Sequence, residues 1–332
     1  MTDTLFLTSD DLVDLADPED YVDAVREGYR QRGAGAAAEP RTKLRNDDPP
    51  GMLTGYMAIL PETGVMGGYT YGAGFGARDA WFVTPLFDAE SGEPLALLDG
   101  AYLNPFKTGA AGAVGVDTLA REDASTLGLI GSGAQARGQL RATAAVREFD
   151  SVRVYSTTRE NREAFADEMD AIVDPTVEAV ETSADAVSGA DVVITATNAS
   201  DPVFDGELLE PGTHVTAMGQ YDTRKHELDA TTVSRAKYVL DLRARMDRDA
   251  GSLMAAIEQG VVGPDHVHGE LGEVISGDVS GRESTEEITV FDSGGTGIET
   301  VAAAHMLYER AREAGLGTEI EFTPASEAMP GR

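Results

Sequence analysis

Cysteine is absent from the chain, and lysine occurs only at Lys43, Lys107, Lys225 and Lys237. The first absence excludes a disulfide framework and thiolate chemistry. No uninterrupted run of about 18 strongly apolar residues occurs, which argues against a membrane span. The opening MTDTLFLTSDDLVDL is acidic and lacks a basic start, so it does not read as a signal peptide. The expectation is a cytoplasmic protein. Positive charge is scarce throughout, with Lys+Arg 26 against Asp+Glu 58 and a net charge of −32. Such a field repels nucleic acid and anionic membranes, so neither is expected as a partner. The acids are spread along a chain that is 42% hydrophobic, which speaks for a folded core and not a disordered acidic tail. Adaptation to high salt is the expectation, because screening removes the self-repulsion. Unfolding measured against salt concentration checks it: stability should rise steeply out of dilute buffer. Full, salt-indifferent stability in dilute buffer would contradict it.

What is present centres on Ser125–Arg137, STLGLIGSGAQAR. Leu127, Leu129 and Ile130 form a short apolar run, and Gly131, Gly133 and Ala136 follow in the spacing G-x-G-x-x-A. A helical pattern continues through Leu140, Ala144 and Val146. Strand, tight turn and helix in this order fit a dinucleotide-binding turn. Gly131 permits the sharp turn, Gly133 lets backbone approach a pyrophosphate, and Ala136 lets helix pack near strand. The helix start at Ala134 and Gln135 offers free N–H groups to phosphates.

The 332 residues suggest two domains. Residues 9–32 read as one helix. Residues 52–60, 64–72, 81–87 and 94–98 read as a mainly antiparallel meander, with a hairpin turn at 88–92. Tyr69 and Tyr71 alternate onto one side of it. A helix spans about 103–120, and its Ala/Gly content suggests close packing against a neighbour. Lys107 then falls in its first turn, where a cation opposes the helix dipole, which favours an anion-binding role. Arg41, Lys43 and Arg45 cluster near the start of the meander, and arginine's fork suits a carboxylate.

Strands then alternate with helices: strands at 151–155, 177–180, 191–197, 213–219, 237–241 and 287–291, with helical stretches at 160–169, 183–188, 226–229, 250–259, 271–276 and 297–314. This predicts an α/β protein with a Rossmann-type doubly wound parallel sheet, plus a smaller α+β domain. The strand ends bring Thr197, Asn198, Met218, Gly219, Gln220, Ser293 and Gly294 to the cofactor side. After the second parallel strand come Ser156, Thr157, Thr158 and Arg159. No carboxylate stands at that tip, so hydroxyls with an arginine suit the 2′-phosphate of NADP better than NAD. His266 and His268 lack the spacing of a zinc site, and no metal is expected.

The chain is similar to the ornithine cyclodeaminase/mu-crystallin family through EPRT at 39–42, LFDAESGEPLALLDG at 86–100, KTGAA at 107–111, LGLIGSGAQAR at 127–137, ADVVITAT at 190–197, TAMG at 216–219 and EITVFDSGG at 287–295. The resemblance implies a substrate-binding and dimerisation domain over 1–121, joined by 300–332, and an NAD(P)-binding domain over 122–299. It implies a homodimer and hydride exchange at the α-carbon of a small amino or imino acid. Members include ornithine cyclodeaminases, alanine dehydrogenases, ketimine reductases and nucleotide-binding mu-crystallins. Arg41 would hold the substrate carboxylate. Lys107 stands where the family's Arg-Thr pair has arginine, which keeps the charge and loses the fork. Tyr69 stands where the family usually has a lysine. Tyr221 stands at the cyclodeaminase aspartate, with Asp222 beside it. Tyr69, Asp222 and Lys107 are the candidate catalytic residues, and His226 is a displaced acid/base candidate.

Overall fold

The computed structural model describes residues 2–76, 79–219 and 221–328. The chain folds as two compact units, Met1–Asn104 with Thr296–Arg332, and Pro105–Gly295. The seam falls within one helix, Gly100–Leu119.

The first unit is built on a mixed sheet. Its strands are β1 (Thr2–Leu7), β2 (Thr42–Asp47), β3 (Pro50–Leu60), β4 (Val65–Gly74), β5 (Asp79–Asp88), β6 (Pro94–Asp99) and the C-terminal β15 (Thr318–Phe322), in the order β15-β1-β6-β5-β4-β3-β2. Only the β1–β6 pairing is parallel among the described residues. The hairpin between β5 and β6 turns where expected, because the Asp88 carboxylate accepts the backbone N–H groups of Glu90 and Ser91. One face of β3 and β4 packs under the helix Gly297–Ala314, which also lies against the helix Pro18–Gly33. Residues 9–32 are two helices and not one. Ser9–Leu12 ends before Asp14, whose φ of 56° is left-handed, and Asp17 then caps a new helix that has Pro18 in its first turn.

The second unit is an all-parallel sheet among the described residues. It contains β7 (Thr126–Ile130), β8 (Ser151–Tyr155), β9 (Thr176–Ala179), β10 (Val192–Thr195), β11 (His214–Ala217), β12 (Ala236–Leu240), β13 (Val267–Glu270) and β14 (Ile288–Asp292). Their order is β13-β12-β14-β11-β10-β7-β8-β9. The central strands β10, β11 and β14 are buried at every position, as a sheet covered on both faces requires. The Ala/Gly-rich helix Gly100–Leu119 makes the expected close approach: a Cβ added at Gly109 would strike the Gly138 carbonyl of the helix Ala134–Val146. Residues 226–229 form a turn and not a helix; the helix there is Ala230–Arg235, capped by Asp229 accepting from Thr232 N–H.

His214 on β11 is fully buried between two threonines, with Nδ1 2.9 Å from Thr289 Oγ1 and Nε2 2.9 Å from Thr216 Oγ1. Thr289 Oγ1 donates to the Leu119 carbonyl and accepts from Arg282, so its remaining lone pair takes a proton from Nδ1. Burial, with Arg282 and Arg147 nearby, pushes the imidazole down to about 3. A histidine held neutral stabilises the fold fully above its unfolded value near 6.5, and that stabilisation is lost as pH falls toward the folded value. His214→Gln is therefore expected to narrow the stability gap to the unaltered chain by on the order of a few kcal/mol between pH 7 and pH 4. Denaturant unfolding at each pH checks this, and a gap independent of pH would contradict it.

Candidate dinucleotide and carboxylate sites

The glycine turn sits at the point where the order of the parallel sheet reverses, between β7 and β10. Gly131 has φ 127°, and a Cβ there would strike the Ala196 carbonyl just past β10. The two strand ends are tied there, with Ala196 N–H donating to Ile130 O at 2.9 Å and Gly131 N–H to Tyr155 O at 2.8 Å. Gly133 caps the helix Ala134–Val146, is exposed, and has nothing within 4 Å of where a Cβ would stand. The first amides of that helix have no intrahelical acceptor and present a partial positive charge. Ala136 is fully buried against the strand. Gln135 Oε1 is buried without a hydrogen-bond partner among the described residues, an acceptor left for a ligand's donor. A bare turn, an uncommitted helix N-terminus and this orphaned acceptor fit a dinucleotide's phosphates and polar groups.

Beyond β8, Ser156 Oγ accepts from Ser132 Oγ at 3.0 Å, which joins the turn to the next strand end. Thr157 is exposed, and Thr158 stands at the start of the helix Arg159–Asp170. Arg159 is exposed and ion-paired with Glu163 at 2.7 Å. Arg162 is buried, donates to the Ser156 carbonyl and pairs with Glu181.

On the other side of the switch point, sequence reading missed Glu227. Its fully buried carboxylate accepts from Thr195 Oγ1 (2.8 Å), Thr197 N–H (2.7 Å) and Gly219 N–H (2.8 Å). Burial raises its pKa, and the hydrogen bonds oppose the rise. The available signal was an acid followed directly by Leu228, out of step with a solvated helix start. Met218 is buried and donates its N–H to Thr195 O at 2.9 Å; Lys225 Nζ reaches the Asn198 carbonyl at 3.4 Å. Gln220 lies outside the described residues. Asp222 is mostly buried and accepts from Arg224 through its backbone N–H (3.1 Å), Nε (3.2 Å) and Nη2 (3.3 Å). His226 is half-buried in the same turn.

A second network missed from sequence holds Ser293 and Gly294. Arg245, 1% exposed, donates to Asp241 and Asp249, each at 2.6 Å, and lies 3.5 Å from Asp292 Oδ1. Asp241 also accepts from Ser293 Oγ (2.8 Å) and Gly294 N–H (3.0 Å), and Tyr238 donates to Asp292 at 2.6 Å. A Cβ at Gly294 would strike the Arg245 guanidinium. Burial pushes the Asp292 carboxyl up to about 6 against the pull of Arg245 and Tyr238. Among the described residues no group of three or more histidines or acids could hold a metal. His266 and His268 bond to backbone carbonyls instead.

In the first unit, Arg41 lies just before β2. The segment is pinned to β3 by the Ala38–Ala58 bridge, by Glu39 N–H to Met57 O, and by Thr54 Oγ1 to Thr42 O. Arg41 Nη1 donates to Tyr71 Oη at 2.9 Å, and its guanidinium lies 5.0 Å from the Tyr56 ring centre. Alternation does bring Tyr69 and Tyr71 together, with ring centres 5.7 Å apart. Tyr69 stacks on Phe82 at 5.2 Å and donates its O–H to the Gly100 carbonyl at 3.3 Å. Burial, with Tyr56 and Tyr71 adding to it, raises its pKa far above the usual phenol range. In this structure its O–H is committed to the Gly100 carbonyl. The placement of Lys107 needs correction. Its helix begins at Gly100 because Pro105 is accommodated inside it, so Lys107 stands about two turns in and is buried. The dipole argument for it no longer applies.

Sheet order, glycine turn and strand-end loops together define a Rossmann-type, nucleotide-binding α/β protein. The chain belongs to the ornithine cyclodeaminase/mu-crystallin family, whose model matches residues 3–315. A Delta(1)-pyrroline-2-carboxylate reductase of Bacillus cereus is 39% identical over 241 residues, 72% of this chain and 74% of that one. The solved Thermococcus litoralis Delta(1)-pyrroline-2-carboxylate reductase, in complex with NADH and L-proline, superposes with a TM-score of 0.90 at 30% identity, covering 96% of this chain and 100% of the other. An archaeal alanine dehydrogenase dimer with bound NAD superposes with a TM-score of 0.89 at 32% identity, covering 97% and 100%.

Proposed function

We propose that this chain is an NAD(P)-dependent enzyme of α-amino and α-imino acid metabolism, working with net redox turnover as a cyclic-imine reductase or amino acid dehydrogenase. The observation that carries the cofactor class is the Gly131–Ala136 turn at the sheet's switch point. The nicotinamide, when bound, supplies or takes the hydride at the substrate α-carbon. Gly131, Gly133, Ala134, Gln135 and Ala136 form the phosphate turn. Ser156, Thr157, Thr158 and Arg159 face the ribose, and the absence of an acid there favours NADP. Thr197, Asn198, Met218, Gly219, Ser293 and Gly294 line the strand ends. Arg41 holds the substrate carboxylate, and Tyr71 holds the orientation of Arg41. Net redox is favoured over cyclodeamination because Tyr69, at the lysine register, has its O–H bonded to a carbonyl inside an aromatic stack. Asp222 remains a proton-transfer candidate. Residues 1–121 with 300–332 serve as the substrate and dimerisation domain, and 122–299 as the NAD(P)-binding domain.

Assay in high salt with Δ1-pyrroline-2-carboxylate, and with pyruvate plus ammonia, tests this reading. Reduced-nicotinamide absorbance should fall steadily, faster with NADPH than with NADH. Ornithine converted without any absorbance change would instead mean cyclodeamination.

No helix among the described residues is long and apolar enough to cross a membrane, which agrees with a proposed cytoplasmic location. A homodimer is also proposed. One sheet face of the first unit exposes Leu44, Leu53, Met57, Trp81 and Val83, between 45% and 65% accessible, and the register lines Leu44, Leu53, Gly72 and Trp81 across four strands. Apolar surface of this kind marks an interface. Sedimentation should find a dimer that Trp81→Asp converts to monomer; an unchanged mass would contradict it.

A further inference from the structure

The segment from Thr195 to Thr197 forms one wall of the switch-point crevice, since the Ala196 carbonyl lies against Gly131 and its N–H bonds Ile130. Thr195 is the last residue of the β10 ladder, paired with Ile130 and Ala217, and Thr197 lies beyond that ladder. Backbone bonds hold Thr195 and Ala196, and one carboxylate holds Thr197 and joins it to Gly219. Glu227 Oε1 takes Thr197 N–H, and Oε2 takes both Thr195 Oγ1 and Gly219 N–H. A single fully buried group thus ties the end of β10 to the turn after β11. Gly219 is fitted to this arrangement, since a Cβ there would strike the Thr197 carbonyl and sit 2.6 Å from the Glu227 carboxylate.

We propose that Glu227 is a positioning residue for the dinucleotide: it touches neither reacting atoms nor phosphate, and it sets the backbone at 197 and 219 into the shape the nucleotide requires. This rests on the function proposed above. Three donors converge on it, so only an acceptor at both oxygens satisfies the site. Glutamine cannot. With its amide nitrogen at the Oε1 position it opposes Thr197 N–H, and at the Oε2 position it opposes Gly219 N–H. Either orientation leaves one buried backbone N–H unmet and pushes one wall of the crevice outward.

The test compares Glu227→Gln with the unaltered chain by NADPH and NADH fluorescence titration, steady-state kinetics and circular dichroism. The nucleotide Kd and KM are expected to rise about tenfold or more, the loss of one buried charge-assisted bond. At saturating nucleotide, kcat and the imino-acid KM should stay within about threefold. A purely structural role would lower the melting midpoint and leave the nucleotide KM in place, and that result overturns the proposal. Thr195→Val, which removes one donor and keeps the shape, is the second variant should Glu227→Gln not fold. It should raise the nucleotide Kd about threefold, and an unchanged Kd overturns the proposal. If the unaltered chain binds neither nucleotide, the functional reading itself fails and this inference with it. If it binds and both variants bind equally well, only this inference fails.

Discussion

Arg41→Ala is expected to lower kcat/KM for the imino or amino acid by on the order of a hundredfold, while the nucleotide Kd stays unchanged. The guanidinium is held by a hydrogen bond to Tyr71 and lies over Tyr56, so it is pre-ordered before a carboxylate arrives. Pre-ordering lowers the entropy that binding must otherwise supply. The loss should appear mainly in KM, because a carboxylate clamp acts on ground state and transition state alike. Tyr71→Phe should cause a smaller loss of the same kind, because it frees the guanidinium without removing it. Unchanged kinetics for Arg41→Ala would remove Arg41 from the site.

Gly131→Ala should act on the other half of the reaction. The residue has φ 127°, where an L side chain is strained, and the new methyl would strike the Ala196 carbonyl. Strain of about 1–3 kcal/mol and displacement of a crevice wall act together. Nucleotide binding should weaken on the order of a hundredfold. Circular dichroism should remain that of a folded α/β protein, because the turn lies at the end of a strand whose ladder pairs on both sides. Binding within a factor of two of the unaltered chain would show that the turn does not receive the nucleotide.

The parallel sheet was legible because its strands announce themselves. DVVITAT and THVTAMG are short runs rich in β-branched residues and without apolar/polar alternation, as suits a sheet covered on both faces. The glycine turn was legible because its spacing is tied to backbone geometry that few other residues permit. The helix at 297–314 matched to the residue, capped by Thr296 at one end and closed by left-handed Gly315 at the other. What sequence could not show was which charges turn inward. Arg245 sits in DLRARMDRDAG, which reads as a solvated charge run, yet the fold buries it among three aspartates. Glu227 likewise looked like one acid in a helix start. Its burial depends on a turn whose donors, Thr195, Thr197 and Gly219, come from two other strand ends. The misplacement of Lys107 has the same origin. The helix reads from about residue 103, whereas it starts at Gly100 and carries Pro105 inside it. Tyr69 was correctly placed beside Tyr71, but alternation alone does not reveal that its hydroxyl is bonded to the Gly100 carbonyl.

Transfer of deuterium from reduced nicotinamide labelled at its transferable position, followed by mass spectrometry of the product of Δ1-pyrroline-2-carboxylate, tests the central claim most directly. Hydride exchange at the α-carbon predicts proline carrying one deuterium at that carbon, formed in step with the oxidised nucleotide. Proline without deuterium, or no turnover of any imino or amino acid by a folded protein in high salt, would contradict it.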